Sequence, residues 1–260
     1  MMTHLLIVFI ILLVSFVANK IRSLSKTGAP AAFLVGICIY IGFGIKGLIL
    51  LGIFFITSSL WSKYKGYQKQ VIEENLEKGS QRDWIQVLAN GGVAALSSLL
   101  FYISKDLIWV VAFITSIASA TGDTWSSEIG PLSKKSPISV RSFKKVQAGT
   151  SGAISMLGTI GALAGVGLIT IVSFFLFSIN FKIALIVLFF GIVGNGIDTL
   201  LGAYYQRTYC CKVCHVSIEK SSHCGELANL ISGKKWLNND GVNFLSCLIA
   251  PVFAIFTFLL

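Results

Sequence analysis

Three carboxylates stand inside or against long apolar runs: Asp123 and Glu128 in "ATGDTWSSEIGP", and Asp198 in "GNGIDTLLGAYYQR". A charge held at bilayer depth costs roughly 2.5–3.5 kcal/mol on insertion scales, so an acid kept there marks a site. From Gly122 to Glu128 the polar residues Asp123, Thr124, Ser126, Ser127 and Glu128 are nearly continuous, which calls for a wet cavity whether or not the segment is helical. Asn195, Asp198, Gly202 and Gln206 recur at helical spacing and form one narrow polar stripe, close enough for a ligand or another helix to approach. Hard oxygen ligands at this density suit Mg²⁺, which takes one or two carboxylates and fills its other positions with water and phosphate oxygens. Pairing with Lys or Arg across helices, or a proton relay in a transporter, are the competing uses of such acids.

Other groups fit phosphate. Gly149, Thr150, Ser151 and Gly152 follow the cations Arg141, Lys144 and Lys145 and are expected to open a helix near residue 152, where backbone N–H groups would meet an anion. Taken alone, "GTSG" reads more simply as an N-cap at Thr150 or Ser151. Arg82 is a phosphate ligand or an interfacial anchor beside Trp84, and Asn90 sits deeper than an anchor should. In "WLNNDGVNFLS", Asn239 or Asp240 is expected to cap a helix, whereas Asn243, one turn further in, is free to bind a polar ligand. Gly158, Gly161 and Gly165 read as helix-packing positions.

Cys38 and Cys247 fall in apolar runs as small fillers. The other four cysteines lie in "CCKVCHVSIEKSSHC", which gives Cys211-x₂-Cys214 followed by His223-Cys224, with Cys210 and His215 to spare. In a reducing cytosol this spacing favours a tetrahedral Cys₃His zinc knuckle of structural role over disulfides, with free or redox thiols as the other reading.

The elements that must position these groups are membrane helices. The sequence is 55% apolar and 12% charged, and its charges cluster between long apolar runs. A ~30 Å hydrocarbon core needs ~20 apolar residues per helix, so an ordinary soluble domain is excluded. The expected fold is an all-α, polytopic bundle of about eight spans, near residues 3–19, 31–45, 47–61, 86–104, 107–121, 152–178, 183–205 and 243–260. The pair at 31–61 is short, turning at Gly42, Gly44 and Gly47, and is expected to be tilted, thin or re-entrant. The first run has no basic segment before it and reads as a retained helix. Residues 1–260 form a single transmembrane domain whose longest connection, 206–242, carries the knuckle.

Eighteen of the 21 Lys and Arg fall in the odd-numbered connections and only Lys46, Lys105 and Lys182 in the even ones. The positive-inside rule then puts the odd connections in the cytosol and both termini outside. The net charge of +10 therefore records topology and not a nucleic-acid partner. Asp123, Glu128 and Asp198 all come out on the cytosolic side.

Read together and in order over roughly residues 50–246, "GDTWSSEIG", the basic loop ending in "AGTSG", "GNGIDTLLGAYYQ" and "WLNNDGVNFLS" resemble the transmembrane family that contains phytyl-phosphate kinase and transmembrane protein nineteen. The resemblance implies a CTP-dependent kinase that converts a membrane isoprenoid monophosphate to its diphosphate, related to dolichol and phytol kinases and to CDP-diacylglycerol synthases. It puts the family's acidic motifs on Asp123 with Glu128 and on Asp198. Ser126 stands where the family often has alanine and Ala153 where a further glycine is common, neither of which removes a charge. The cysteine loop resembles that of bacterial and archaeal members.

On this reading Asp123 and Asp198 hold Mg²⁺, with Glu128 as a further ligand or orienter. Arg82, Arg141, Lys144, Lys145, Gly149, Thr150, Ser151, Gly152 and Asn195 serve phosphate, and Asn239 and Asn243 contact nucleotide or acceptor. The partners are CTP, an isoprenoid lipid phosphate and the bilayer, in the cell membrane with the site facing the cytosol. A prenyl phosphate is mostly a dianion near pH 7, its second pKa being about 6, so no strong base is needed. A lipid-phosphate cytidylyltransferase would use the same acids on the α-phosphate. A secondary transporter would use them as a relay, and the two similar halves usual in transporters are not visible in the sequence.

Overall fold

The computed structural model describes residues 2–260, with all their side chains except those of Gln70, Val71 and Glu73. Among the described residues eight α-helices follow in order: α1 (Met2–Lys20), α2 (Gly28–Lys63), α3 (Gly66–Glu73), α4 (Trp84–Ser104), α5 (Leu107–Ile129), α6 (Met156–Phe177), α7 (Phe181–Tyr204) and α8 (Asn239–Leu259). All but the short α3 are long and apolar enough to cross a membrane, which makes the chain an integral membrane bundle.

The helix α2 runs 36 residues but is not one rod, because Gly44 has φ 60° and ψ −146°. Only glycine adopts that conformation without strain. Gly47 packs against Ile39, although eight residues of straight helix would separate the two by ~12 Å. Both ends of α2 also meet Arg82: Gly28 lies against its carbonyl and Ser59 Oγ accepts from its guanidinium at 3.0 Å. The element is a helical hairpin with its tip at Gly44, and its arms are the two short spans expected within 31–61. The seven long helices thus make eight passes.

His4 Nδ1 meets the Tyr40 hydroxyl at 2.7 Å, which sets the N-terminus beside the tip-proximal part of the first arm. The tip, Lys105 in the α4–α5 turn and Phe177 at the end of α6 line one shallow cavity. Helix α8 runs toward that same end from Asp240. Both termini therefore share the cation-poor end of the bundle, as the connection count requires.

The central helix is α5, buried from Val110 to Gly122. Its small residues let neighbours come close without a hydrophobic drive between helices. Gly191 and Gly194 of α7 press on Ala118 and Ser119, and Gly158, Gly161 and Gly165 of α6 lie against Ser126, Trp125, Ile129 and Thr121. The latter three are packing positions, as expected.

Two helix starts differ from expectation. Helix α6 begins at Met156 and is capped by Ser155, whose Oγ accepts from Gly158 N at 3.0 Å. Gly149–Gly152 instead forms a turn upstream, before strand β2 (Ala153–Ile154), which pairs with β1 (Ile138–Ser139). The cap of α8 is Asn238, accepting from Gly241 N at 3.1 Å, and neither Asn239 nor Asp240. In both cases the residue with extended backbone directly before the first turn takes the cap, and its side chain reaches the third amide.

Residues 206–238 carry a small β-module in place of an irregular loop. Strands β3 (Thr208–Cys210), β4 (Ser217–Ile218) and β7 (Asn229–Ser232) form an antiparallel sheet in the order β4-β3-β7, and β5 (Ser222–His223) pairs with β6 (Glu226–Leu227). The buried core of the module is Tyr209, Cys211 and Ile218.

Candidate active site

A cavity of about 290 Å³ opens at the cation-rich end, walled by α2, α3, the α3–α4 connection, α4, α5, the 148–155 turn, α7, Glu219 just after β4 and the start of α8. Asp123, in the last two turns of α5, and Asp198, near the end of α7, place their carboxyls within hydrogen-bonding range of each other. Around them Asn195 Nδ2 donates to Asp123 Oδ1 at 3.3 Å and Ser246 Oγ donates to Asp198 Oδ2 at 3.4 Å. With its amide nitrogen turned toward the acceptors, Asn243 donates to the same Asp198 oxygen at 3.0 Å and to Asn239 O at 3.2 Å. Among the described residues neither acid has a Lys or Arg partner. Two like charges this close cannot both persist in a buried site unless a proton or a divalent cation lies between them. The oxygen-only donor set fits Mg²⁺.

The polar stripe on α7 is engaged along its length. Asn195 and Asp198 face Asp123, Gly202 admits Ser151, and Gln206 accepts from Ser151 Oγ at 2.9 Å. The 149–152 turn thus reaches the cavity by docking on α7 and without a helix N-terminus behind it. Gly149 and Gly152 have φ of 85° and 70°, and Gly152 lies so close to Ala203 that a side chain there would overlap its backbone.

Glu128 sits in the same cavity but away from the acid pair. Five helical steps set it about 140° around α5 from Asp123. Its carboxylate accepts from Ser62 Oγ at 2.5 Å and from Lys69 Nζ at 2.7 Å. Lys69, only 3% exposed, donates also to Trp61 O at 2.6 Å. A buried ion pair with its remaining positions hydrogen-bonded ties α5 to α2 and α3 and leaves Glu128 little capacity for a metal.

Arg82 Nη1 donates to Ser59 Oγ, and the guanidinium lies 5.6 Å from the Phe55 ring. Burial holds its pKa below the usual arginine value, with Glu128 acting in the opposite direction. Among the described residues no carboxylate is within ion-pair distance of it, so most of its five donors remain for an anion in the cavity. Asn239 and Asn243 line the cavity as well. Arg141, Lys144 and Lys145 do not: they are exposed on the β1–β2 connection, outside the cavity wall.

Five charged cavity residues were given no site role from the sequence: Lys69, Glu77, which pairs with Arg207, Lys78, Glu219 and Asp240. Lys78 bridges Asp240 at 2.5 Å and Asp83 at 2.7 Å; burial opposes its charge, but the two acids outweigh it and raise its pKa. Lys69 pairs with Glu128. Glu219, just after β4, accepts from Gln206 Nε2 at 2.7 Å and from Glu77 N at 3.4 Å. Burial pushes its carboxyl up to about 7. Asp240 appeared in the sequence only as a possible cap. Lys69 and Lys78 were hidden in a connection whose cations read as topology, and Glu219 gave no periodic signal.

In the β-module the ligand atoms of Cys211, Cys214, His223 and Cys224 all lie within 4.8 Å of one another. His223 Nδ1 is 3.3 Å from Cys214 Sγ and 3.2 Å from Cys224 Sγ, near the ~3.5 Å edge of a tetrahedron built on zinc bond lengths. Backbone donation from the turn at Cys214 pulls the Cys211 thiol down to about 6, whereas burial and the neighbouring thiols push Cys224 up to about 11. Cys210 and His215 stand outside the cluster. The donors and their spread fit a structural zinc ion.

The chain matches the family model for integral membrane protein DUF92 over residues 9–251. Protein PGR of Arabidopsis thaliana is 35% identical over 91% of this chain and 90% of that protein. An uncharacterized membrane protein of Methanocaldococcus jannaschii is 33% identical over 87% of this chain and 90% of its own length. The chloroplast protein VTE6 of Arabidopsis thaliana is 28% identical over 90% of this chain and 65% of its own length. No solved structure matches the chain significantly. The eight-pass bundle built around α5, with its acids paired at one end, belongs to a member of the DUF92 family of integral membrane proteins.

Proposed function

We propose that this protein is a CTP-dependent kinase that transfers a phosphoryl group to a membrane isoprenyl monophosphate, phytyl phosphate or a relative, at the cytosolic face of the cell membrane. The observation that carries the reading is the Asp123–Asp198 pair, two acids from separate helices brought together without a basic partner in a cavity that also holds Arg82 and the 149–152 turn. The resemblance of the acidic motifs to the phytyl-phosphate kinase family supplies the nucleotide and the acceptor. The cation-rich end faces the cytosol on the positive-inside rule, which brings soluble nucleotide to the cavity.

Asp123 and Asp198 would hold Mg²⁺, whose charge neutralises the triphosphate when bound. Asn195, Asn243 and Ser246 orient the two carboxylates by donating to their oxygens. Arg82 supplies a planar set of donors to phosphate oxygens. The 149–152 turn, seated on α7 through Gly152, forms part of the cavity wall that the triphosphate meets. Lys69 and Glu128 neutralise each other and hold the α2 and α3 wall against α5, so that the cavity keeps its shape. The acceptor phosphate arrives already ionised, and catalysis consists of in-line positioning and charge neutralisation. The prenyl chain lies between helices, where apolar side chains replace lipid.

The test uses purified protein, Mg²⁺, a prenyl phosphate and CTP labelled at the γ-phosphate. Label in the lipid supports the kinase. Label in pyrophosphate moves the attack to the α-phosphate and replaces it with a cytidylyltransferase. No turnover of CTP or ATP with any prenyl phosphate ends both readings.

A further inference from the structure

We propose that Cys211, Cys214, His223 and Cys224 bind one zinc ion whose task is to hold Glu219 in the cavity wall, so that the membrane site is completed by a metal outside the membrane. The geometry gives the path. Glu219 lies almost midway between the two halves of the ligand set, with Cys211 and Cys214 before it and His223 and Cys224 after it. An ion at the cluster therefore closes a short loop whose central residue is the one that enters the cavity.

Each step along that loop is a named contact. Cys211 N donates to Val216 O at 3.1 Å, which turns β3 into β4. Tyr209 and Cys210 then pair with Ile218 and Ser217. The next residue, Glu219, donates its N–H to Asn75 O at 2.9 Å and accepts at its carboxylate from Gln206 and from Glu77 N. Lys220 Nζ follows with a bond to Glu74 O at 2.8 Å. The loop is thus clamped onto residues 74–77, the segment that leads into Lys78 and its bridge to Asp240 and Asp83.

Besides the β3–β7 pairing and the Arg207–Glu77 ion pair at its base, the module has little to hold it. Strands β4, β5 and β6 are two residues long, and the buried core is three residues of which Cys211 is itself a ligand. Pairings this short are marginal without a further constraint, and a bound metal supplies it as folding free energy. Gln206 is different: its backbone is bonded to Leu201 O at the end of α7 and stays in place with or without the module. The dependence on metal falls on Glu219 and the 74–77 segment.

The experiment takes the full chain in detergent. Elemental analysis should find one zinc per chain, and cobalt exchanged into the site should give thiolate charge-transfer and tetrahedral visible bands that Cys214→Ser and Cys224→Ser each remove. Hydrogen exchange is then compared before and after chelation. Residues 74–78 and 216–220 should exchange at least tenfold faster without metal and recover when zinc returns, while α5 and α7 stay unchanged. Absence of stoichiometric metal, or chelation that leaves exchange at 74–78 unaltered, overturns the proposal. Chelation of wild-type protein keeps the test open if the serine variants fail to fold. None of these readouts needs turnover, so loss of the proposed kinase reaction and loss of the zinc proposal are separate results.

Discussion

The cavity has two differently built walls. On the α5–α7–α8 side, Asp123 and Asp198 face each other with only amides and a hydroxyl around them. The α2–α3–α4 side instead supplies bases that answer acids from both walls: Lys69 pairs with Glu128 of α5, and Lys78 with Asp83 and with Asp240 of α8. Burying ion pairs is seldom a gain over packed apolar residues, but once built they cannot lose one partner cheaply. The paired acids are therefore scaffold, tying the second wall to α5 and α8. The first is electrically open and has work left for a ligand. Counting acids in a membrane span does not separate the two cases; finding their partners does.

The comparison breaks first at the open wall. Asp123→Asn and Asp198→Asn should each reduce nucleotide turnover by roughly 10³-fold or more, the several kcal/mol expected of a lost metal ligand, with expression and melting temperature near wild type. Retained turnover in both variants, read by label transfer, would show that these acids are scaffold too.

Lys69→Met tests the other side. Leaving Glu128, whose side chain is 21% exposed, without its cation should cost about 1–3 kcal/mol of stability, measured by denaturation in detergent, and much of it should return when Glu128→Gln is added. If Lys69→Met is neutral for stability but abolishes turnover, Glu128 and Lys69 belong with the chemistry.

Glu219 sharpens the contrast, since it is an acid without a basic partner on the scaffold side. Its carboxyl sits at about 7 against an ordinary 4.5. A folded-state value above the unfolded one means that the proton is held more tightly by the folded protein, so its stabilising contribution is complete below about pH 4.5 and is lost as pH rises through about 7. The melting temperature of wild type relative to Glu219→Gln should fall across that window and level off above it; parallel profiles would refute the burial argument. The smallest effect is expected for Lys144→Ala with Lys145→Ala. Both are exposed and off the cavity wall, and substitutions of that kind stay within about 0.5 kcal/mol, so a KM change beyond roughly twofold would restore them to the phosphate site.

Much of this was readable from residue types and spacing. The Asn195–Asp198–Gly202–Gln206 stripe was legible because a helix repeats its face, and each member meets a cavity neighbour. The clustering of Cys211, Cys214, His223 and Cys224 was legible from spacing, and the reversal within 31–61 from three glycines in six residues. What failed was neighbourhood at a distance. Helical phase alone separates Asp123 from Glu128, and that arithmetic was available. That Lys69 would turn inward, 59 residues away in sequence from Glu128, was not, because in a cation-rich connection one lysine looks like the next. The "GTSG" string misled by its likeness to a helix start. The true start, Ser155, lies three residues beyond its last glycine.

The folded-back helix α2 carries a geometric constraint of its own. Its arms span only ~24 and ~28 Å at 1.5 Å per residue, less than the ~30 Å hydrocarbon thickness they cross, so the surrounding lipid must thin or the flanking polar residues must snorkel to the interface. One residue inserted between Gly44 and Ser59 would turn the second arm by 100° and carry Ser59 and Ser62 off the side chains of Arg82 and Glu128. The length of that arm therefore sets the phase in which a distant wall meets its partners, and a loop at the far side of the membrane is tuned to a site it never touches.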